Sequence, residues 1–140
     1  MLIFLRAIVF NILFYGSTVI GCVLYLPLAL LPRDIFVKSL VAYFKYIHWL
    51  EKHVLGLDYE VRGRENIPQT GSFLVAAKHQ SAYETMKLHL LFHDPAVILK
   101  KELYGIPLWG WLARKADMIA IDRSSKDEAM ASIIRGARHM

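Results

Sequence analysis

The sequence predicts an α/β fold in which a partial, mainly parallel sheet with flanking helices follows an N-terminal membrane helix or helical hairpin. Two features predict it. Residues 7–31 carry no formal charge over 25 positions, and after Gly56 short apolar segments alternate with helical ones. Strands that alternate with helices indicate parallel pairing through right-handed crossovers. Since only three or four strands are predicted, we expect an incomplete sheet.

The uncharged run is long enough to form a membrane helix. About 20 apolar residues cross the bilayer core as a helix, and the hydrophobic content of 56% is high for a soluble protein. A cleaved signal peptide is the alternative, because residues 19–22 resemble a lipoprotein cleavage box. The apolar run continues beyond Cys22, whereas the hydrophobic part of a signal peptide is short. We therefore expect a retained membrane anchor.

The net charge of +5 fits either nucleic acid or anionic lipid as a partner, and the apolar anchor favours lipid and no nucleic acid. One basic residue precedes the run and four follow it: Arg6, then Arg33, Lys38, Lys45 and Lys52. By the positive-inside rule, the remainder of the chain is cytoplasmic if the run spans the membrane. Pro27 and Pro32 leave a kinked or re-entrant hairpin open.

A second helix is expected from a cap at Asp34 to about Leu55, with Gly56 as its left-handed stop. Apolar residues recur in it at helical spacing: Phe36, Val37, Leu40, Val41, Phe44, Ile47, Leu50 and Val54. Lysines recur every seven residues opposite or beside them: Lys38, Lys45 and Lys52. A basic amphipathic helix with aromatic residues fits the membrane interface. The alternative is a helix that packs on a protein core and exposes its basic face.

We place the boundary between the anchor and the α/β domain at Gly56, which gives an anchor of residues 1–56 and a domain of residues 57–140. The domain's predicted strands are residues 58–62, 72–77, 96–99 and 117–121. Its predicted helices are residues 82–92, 103–115 and 125–138. The chain ends inside a helical pattern without a closing strand, so we expect it to be an N-terminal fragment.

The most informative motif is KHQSAYE at residues 78–84, where the predicted strand 72–77 passes into a helix. His79 precedes that helix and can fold over its first turn toward Glu84, at the sheet edge where α/β proteins bind ligands. An imidazole oriented by a carboxylate keeps its other nitrogen free to accept a proton. The alternative role of Glu84 is a capping box with Ser81, and the two roles can coexist.

The same spacing between a histidine and an acid occurs twice more in the chain, so spacing alone does not identify the site. His53 precedes Asp58, but the helix end lies between them, and we expect His53 to act as a cation near a helix C-terminus. His89 precedes Asp94 within a helix, where five residues place the side chains about 140° apart. Position therefore singles out His79.

Three blocks of the sequence closely resemble the glycerolipid acyltransferases, and among them the bacterial enzymes that acylate 1-acyl-sn-glycerol-3-phosphate. The blocks are residues 78–84, then KKEL at 100–103 with IPLWGW at 106–111, then IDRS at 121–124. They occur in the family's order and spacing over about residues 70–125.

The resemblance implies that His79 is a general base and that Glu84 holds its imidazole. The base takes the proton from the 2-hydroxyl of lysophosphatidic acid, which attacks an acyl thioester carried by acyl carrier protein or coenzyme A to give phosphatidic acid. No metal, cofactor or covalent intermediate is implied. The family usually has Asp where this chain has Glu84, so the geometry differs by one methylene.

The resemblance also places Lys101 and Arg123 around the acceptor's phosphate, a group that needs charge-assisted donors. Each residue has an alternative role. Lys101 could be, with Lys100, the solvated start of a helix, and Arg123 could pair with Asp122 or Asp127.

One family block, Glu-Gly-Thr-Arg, does not occur before Met140. We expect that this 140-residue chain is truncated and inactive alone, and that its full-length parent is active. The expected location is the bacterial inner membrane, with the catalytic part on the cytoplasmic side. Two other hypotheses stay open: an acyltransferase of the same family that uses another lysolipid, and a non-catalytic, membrane-anchored module that binds lipid.

Overall fold

The structure is a computed structural model that describes residues 1–137. Its first two helices, α1 (Leu2–Leu28) and α2 (Arg33–Leu50), form an antiparallel hairpin. The hydroxyl groups of Thr18 and Tyr43 lie 2.8 Å apart across it, and Arg6 donates to the carbonyl of Val54 beyond the end of α2. The apolar segment thus forms one continuous helix as far as Leu28, and Pro27 lies in its last turn.

No residue of α1 is buried, although the helix is strongly apolar. By length and composition, its 27 residues are sufficient to cross a membrane. The exposed apolar side chains include Leu2, Phe4, Ile12 and Val19. A large exposed apolar surface of this kind marks a contact with lipid or another protein.

The second helix begins one residue earlier than its predicted cap. Pro32 precedes its first residue, and Asp34 lies in the first turn without capping the helix through its side chain. The predicted Asp34 cap is wrong because proline, which has no backbone N–H to satisfy, already starts the helix. After Leu50 the chain continues as a π-helical turn (Glu51–Leu55) and ends at Gly56, whose φ of +75° confirms the predicted left-handed stop.

The apolar face of α2 packs on the protein. Phe36, Val37, Ile47 and Leu50 are buried, and the helix contacts both α1 and helix α3 (Ala82–Leu91). The three lysines of α2 and the turn after it are exposed. The alternative, a helix packed on a protein core with a solvated basic face, describes these contacts of α2, while Ile35, Tyr46 and Trp49 remain exposed, and contact with the membrane interface stays a prediction.

The sheet consists of two parallel strands, β1 (Ile98–Lys100) and β2 (Ile119–Ile121), in the register Ile98 to Ile119. The crossover between them contains a 3₁₀ turn (Lys101–Gly105) and helix α4 (Trp109–Lys115). Helix α5 (Lys126–Ala137) packs on β2. The α/β class and the parallel pairing are confirmed, although the sheet is minimal. Residue 138, the last of the predicted final helix, lies outside the described residues.

Three predicted elements differ from the structure. Segments 58–62 and 72–77 are not strands, and 72–77 is exposed throughout. Apolar residues form a strand only beside a partner that completes its hydrogen bonds, and within residues 1–137 only β1 and β2 pair. The predicted helix 103–115 is divided, because Pro107 and Leu108, with φ at +61°, interrupt it.

The hairpin and the α/β part share a hydrophobic core. Ala29, Phe36 and Val37 of the hairpin are buried against Ala116, which follows α4. Beside this core, Arg33 pairs with Asp94 and Asp117, the residues that precede the two strands. The N-terminal helices are therefore packed on the part of the chain that carries residues 78–84.

Candidate active site

The first turn of α3 is held by a capping box. Ser81 is the cap, and its hydroxyl accepts a hydrogen bond from the Tyr83 amide at 3.1 Å. The Glu84 carboxylate accepts from the amides of Ser81, at 3.0 Å, and Gln80, at 2.6 Å. Such a box satisfies amides that a helix start leaves unpaired. The predicted capping role of Glu84 is confirmed.

The same carboxylate also contacts His79. The Nδ1 atom of His79 lies 2.7 Å from Oε1 of Glu84, so the cap and the imidazole share one acidic group. The two predicted roles of Glu84 coexist in the structure. The His79 side chain is 73% exposed and that of Glu84 is 25% exposed, which leaves the ring open to an incoming molecule.

Electrostatics keep Glu84 ionised. Hydrogen bonds from the backbone, with the Ser81 amide contributing most, lower the pKa of Glu84 from 4.5 to about 2. A carboxylate at Nδ1 favours a proton on that nitrogen, and Nε2 has no protein partner within residues 1–137. The pair can therefore accept a proton at Nε2 while Glu84 stabilises the resulting imidazolium.

The two other histidines at this spacing do not meet their acids. His53 stacks on Trp49, with ring centroids 4.9 Å apart, while Asp58 pairs with Lys52 at 2.6 Å. His89 is buried, its Nδ1 lies 3.0 Å from the carbonyl oxygen of Thr85, and burial lowers its pKa. Of these three histidines, only His79 contacts the acid five residues after it. It is also the one that precedes the start of a helix, as the sequence indicated.

The predicted basic residues lie at the carboxyl edge of the sheet. Lys101 follows β1 and pairs with Asp122, which follows β2. This contact raises the pKa of Lys101 and lowers that of Asp122 to about 2. Arg123 is exposed and forms no ion pair with residues 1–137, so the alternative in which it pairs with Asp122 or Asp127 is wrong.

Within the described part of the chain, no hydrogen bond or ion pair joins Lys101 or Arg123 to His79 or Glu84. The alternative for Lys101, a solvated helix start, describes its position, because it begins the exposed 3₁₀ turn. The structure thus brings His79 and Glu84 into contact, and among the described residues it does not link this dyad directly to Lys101 or Arg123.

A mostly apolar cleft of about 250 Å³ lies between α1 and the first turns of α3, and Glu51 of the π-helical turn is one of the residues that line it. Its lining includes Phe10 and Phe14 from α1, and Ala82, Tyr83 and Met86 from α3. Sequence reasoning missed it because its two walls are about 70 residues apart in the chain. The only local signal was the spacing of Phe10 and Phe14, which places both rings on one face of α1.

A buried ion pair was also missed. Lys87, one turn after Glu84, contacts Glu51 of the π-helical turn, and both side chains are almost fully buried. Lysine and glutamate are seldom buried unless paired. The available signal was that Lys87 follows Tyr83 by four residues and so shares its face of α3.

Comparison with known proteins identifies relatives. Residues 58–140 match the acyltransferase family. The chain is 32% identical over 133 residues to the 1-acyl-sn-glycerol-3-phosphate acyltransferase of Pseudomonas aeruginosa, covering 94% of this chain and 51% of that protein. It is 24% identical over 140 residues to the Saccharomyces cerevisiae protein of that name, covering 99% and 45%.

A shorter match links it to lysophosphatidylcholine acyltransferase 1 of Rattus norvegicus, 26% identical over 73 residues, covering 52% of this chain and 13% of that protein. No solved structure matches the chain. It spans about half the length of its Pseudomonas and yeast relatives. Because the family match covers more than half of the chain and the bacterial relative aligns over nearly all of it, this protein belongs to the acyltransferase family.

Proposed function

We propose that the chain carries the general base of an enzyme that transfers an acyl group from a thioester to the 2-hydroxyl of 1-acyl-sn-glycerol-3-phosphate. The single observation that carries the proposal is the 2.7 Å contact between His79 Nδ1 and Glu84 Oε1, on an exposed ring with a free Nε2. The names of the bacterial and yeast relatives support the choice of acceptor. The donor is a thioester of acyl carrier protein or coenzyme A.

The reaction needs one base and no covalent enzyme intermediate. Nε2 of His79 takes the hydroxyl proton while the oxygen attacks the thioester carbonyl carbon. The carbon–sulfur bond then breaks, and the thiolate leaves with the proton that the imidazolium returns. Glu84 stabilises the imidazolium between these steps, and its low pKa keeps it charged at neutral pH. The products are phosphatidic acid and a free thiol.

Lys101 and Arg123 are the proposed ligands of the acceptor's phosphate. Both are exposed side chains at the carboxyl edge of the parallel strands, where α/β proteins bind ligands. Arg123 is available for a bidentate contact. Lys101 is held by Asp122, so a phosphate has to displace that carboxylate to use it.

The proposed location is a membrane surface, with the acyltransferase part on the cytoplasmic side of a bacterial inner membrane. The exposed apolar surface of α1 supports lipid contact. Both lysophosphatidic acid and its product reside in the bilayer. The apolar cleft between α1 and α3, which Ala82 and Tyr83 of the turn that carries Glu84 help to line, is suited to an acyl chain.

The test is His79→Ala in the full-length protein, with His53→Ala as the matched control at the same spacing from an acid. Loss of a general base costs about 10²- to 10⁴-fold in rate, so acyl transfer should fall by at least a hundredfold. Membrane association should be unchanged. Retained turnover in His79→Ala would rule out the base assignment.

The rat relative supports a second candidate, transfer to another lysophospholipid. The pairing of Lys101 with Asp122 also reduces the positive charge available for a phosphate monoester. An acceptor panel with lysophosphatidic acid, lysophosphatidylcholine and monoacylglycerol separates the two. Equal rates with and without the terminal phosphate monoester would favour the second candidate.

A further inference from the structure

The buried ion pair between Lys87 and Glu51 has no part in the proposed chemistry. The Lys87 side chain is 6% exposed and that of Glu51 is 2% exposed. Removing two charges from water is costly, and an apolar pair of similar size is often as stable or more stable. The best attested use of such a pair is to select one arrangement of the packed elements. Orientation, more than net stability, is therefore its expected contribution.

The Lys87 ammonium is surrounded by groups that each bind a cation from a particular direction. His48 Nδ1 lies 3.2 Å from Nζ, and the ring centroids of Tyr83 and Tyr59 lie 4.5 and 5.2 Å from it. Cations favour the faces of aromatic rings at these distances. A carboxylate, an imidazole nitrogen and two rings together define one position for Lys87, and hence one rotation and one axial shift of α3.

Helix α3 depends on contacts with the rest of the protein to fix its position. It has only 10 residues, and isolated helices shorter than about 12–15 residues are marginal in water. The preceding residues 72–80 are exposed and form neither helix nor strand. The main packing partner of α3 is α2, which leads directly into the turn that carries Glu51.

The dyad depends on this helix. Glu84 is in its first turn, three residues before Lys87, and His79 is attached through its contact with Glu84. Tyr83, beside Glu84, contacts the Lys87 ammonium and lines the apolar cleft, as Glu51 also does. A rotation of α3 would therefore move the carboxylate, the imidazole and one wall of the cleft together.

We propose that the Glu51–Lys87 ion pair positions the His79–Glu84 dyad relative to the N-terminal hairpin. Lys87 and Glu51 are positioning residues that act through α3, and Glu51 also lies in the lining of the apolar cleft, where an effect on acyl-chain binding would change KM rather than kcat. The inference rests on the proposed function, since it concerns the base of that reaction.

The central variant is the double substitution Glu51→Met with Lys87→Met, which replaces the pair by apolar side chains of similar length. Lys87→Met alone leaves the buried Glu51 carboxylate without its lysine partner and risks failure to fold, whereas the double variant avoids that charge. Glu51→Gln is a milder variant that keeps an acceptor for Lys87. Lys52→Met is the matched control, because it breaks the exposed Lys52–Asp58 pair of the adjoining turn.

Two measurements on the full-length protein are compared. The first is kcat and KM for acyl transfer, for which we expect kcat to fall about 10- to 100-fold in the double variant, since a 1 Å misplacement can cost a hundredfold. KM should change less than twofold, and Lys52→Met should keep wild-type kcat. The second is the distance between spin labels at Lys45→Cys and Lys78→Cys in a Cys22→Ser background. It should broaden or shift in the double variant.

An unchanged distance between the labels in the double variant overturns the proposal, whatever the kinetic constants are. A changed distance with an unchanged kcat also overturns it. So does an increase in KM without a decrease in kcat. If the double variant does not fold, Glu51→Gln decides by the same criteria. Failure of the proposed function is recognised separately, because it appears as turnover retained in His79→Ala. The label distance does not depend on turnover.

Discussion

The first turn and the middle of α3 carry ion pairs of opposite character. At the exposed N-terminal end, Glu84 meets His79, whose side chain is 73% exposed. One turn later, Lys87 meets Glu51 in the protein interior. An exposed pair contributes little to stability because water screens it, but it remains reachable by a substrate. A buried pair is unreachable and fixes geometry. The contrast separates a pair suited to reactivity from a pair suited to alignment within ten residues.

The strongest way to break this contrast is to remove one buried charge. Lys87→Ala leaves Glu51 buried without its lysine partner, with only His48 Nδ1 nearby at 3.6 Å, so the free energy of unfolding should fall by about 3–5 kcal/mol. Lys52→Ala, in the exposed pair nearby, should change it by less than about 0.5 kcal/mol. Denaturant unfolding in detergent, followed by circular dichroism, measures both. Equal losses would contradict the distinction between the pairs.

The exposed His79–Glu84 pair is tested by a substitution that removes the charge of Glu84 but keeps its capping hydrogen bond at the start of α3. Glu84→Gln keeps an acceptor for the Ser81 amide, since glutamine also completes a capping box. We expect kcat/KM to fall about a hundredfold, within the range for assisted general base catalysis. Steady-state kinetics of Glu84→Gln beside wild type measure the loss, and an unchanged kcat/KM would contradict the role of Glu84.

A smaller effect is expected from the cap itself. Ser81→Ala removes the hydroxyl that accepts from the Tyr83 amide, and loss of such a cap costs about 1 kcal/mol. Ser81→Thr keeps the hydroxyl and serves as the control. The unfolding midpoint of each variant checks the difference, and a Ser81→Ala midpoint equal to wild type would show that the amides are satisfied in another way.

The smallest effect concerns acid stability. The pKa of Glu84 is lowered from 4.5 to about 2, so its ionised form stabilises the fold above pH 4.5, and that stabilisation is lost as the pH falls toward 2. Wild-type protein should therefore lose stability between pH 5 and 3 more steeply than Glu84→Gln. Unfolding midpoints across this range test the sign. A parallel decline in both proteins would contradict it.

Much of the candidate site was predictable because it is local. The cap of Ser81, the reach of His79 to Glu84 and the stop at Gly56 each depend on residues within five positions of one another, where helix geometry sets the distances. Lys101 and Arg123 were predicted from the family resemblance to lie around one phosphate, and both follow parallel strands at the same edge of the sheet. The pairing of Lys101 with Asp122 was not predicted, because it depends on strand register.

The sequence by itself determined the apolar N-terminal helix, the α/β class, the parallel pairing and the proximity of His79 to Glu84, because each follows from composition, periodicity or short spacing. Only the tertiary structure decided that the apolar face of α2 packs on the protein, that segments 58–62 and 72–77 lack partner strands, and that Lys87 meets Glu51 across 36 positions of the chain. Burial and pairing depend on which surfaces meet, and that is a property of the whole packed chain.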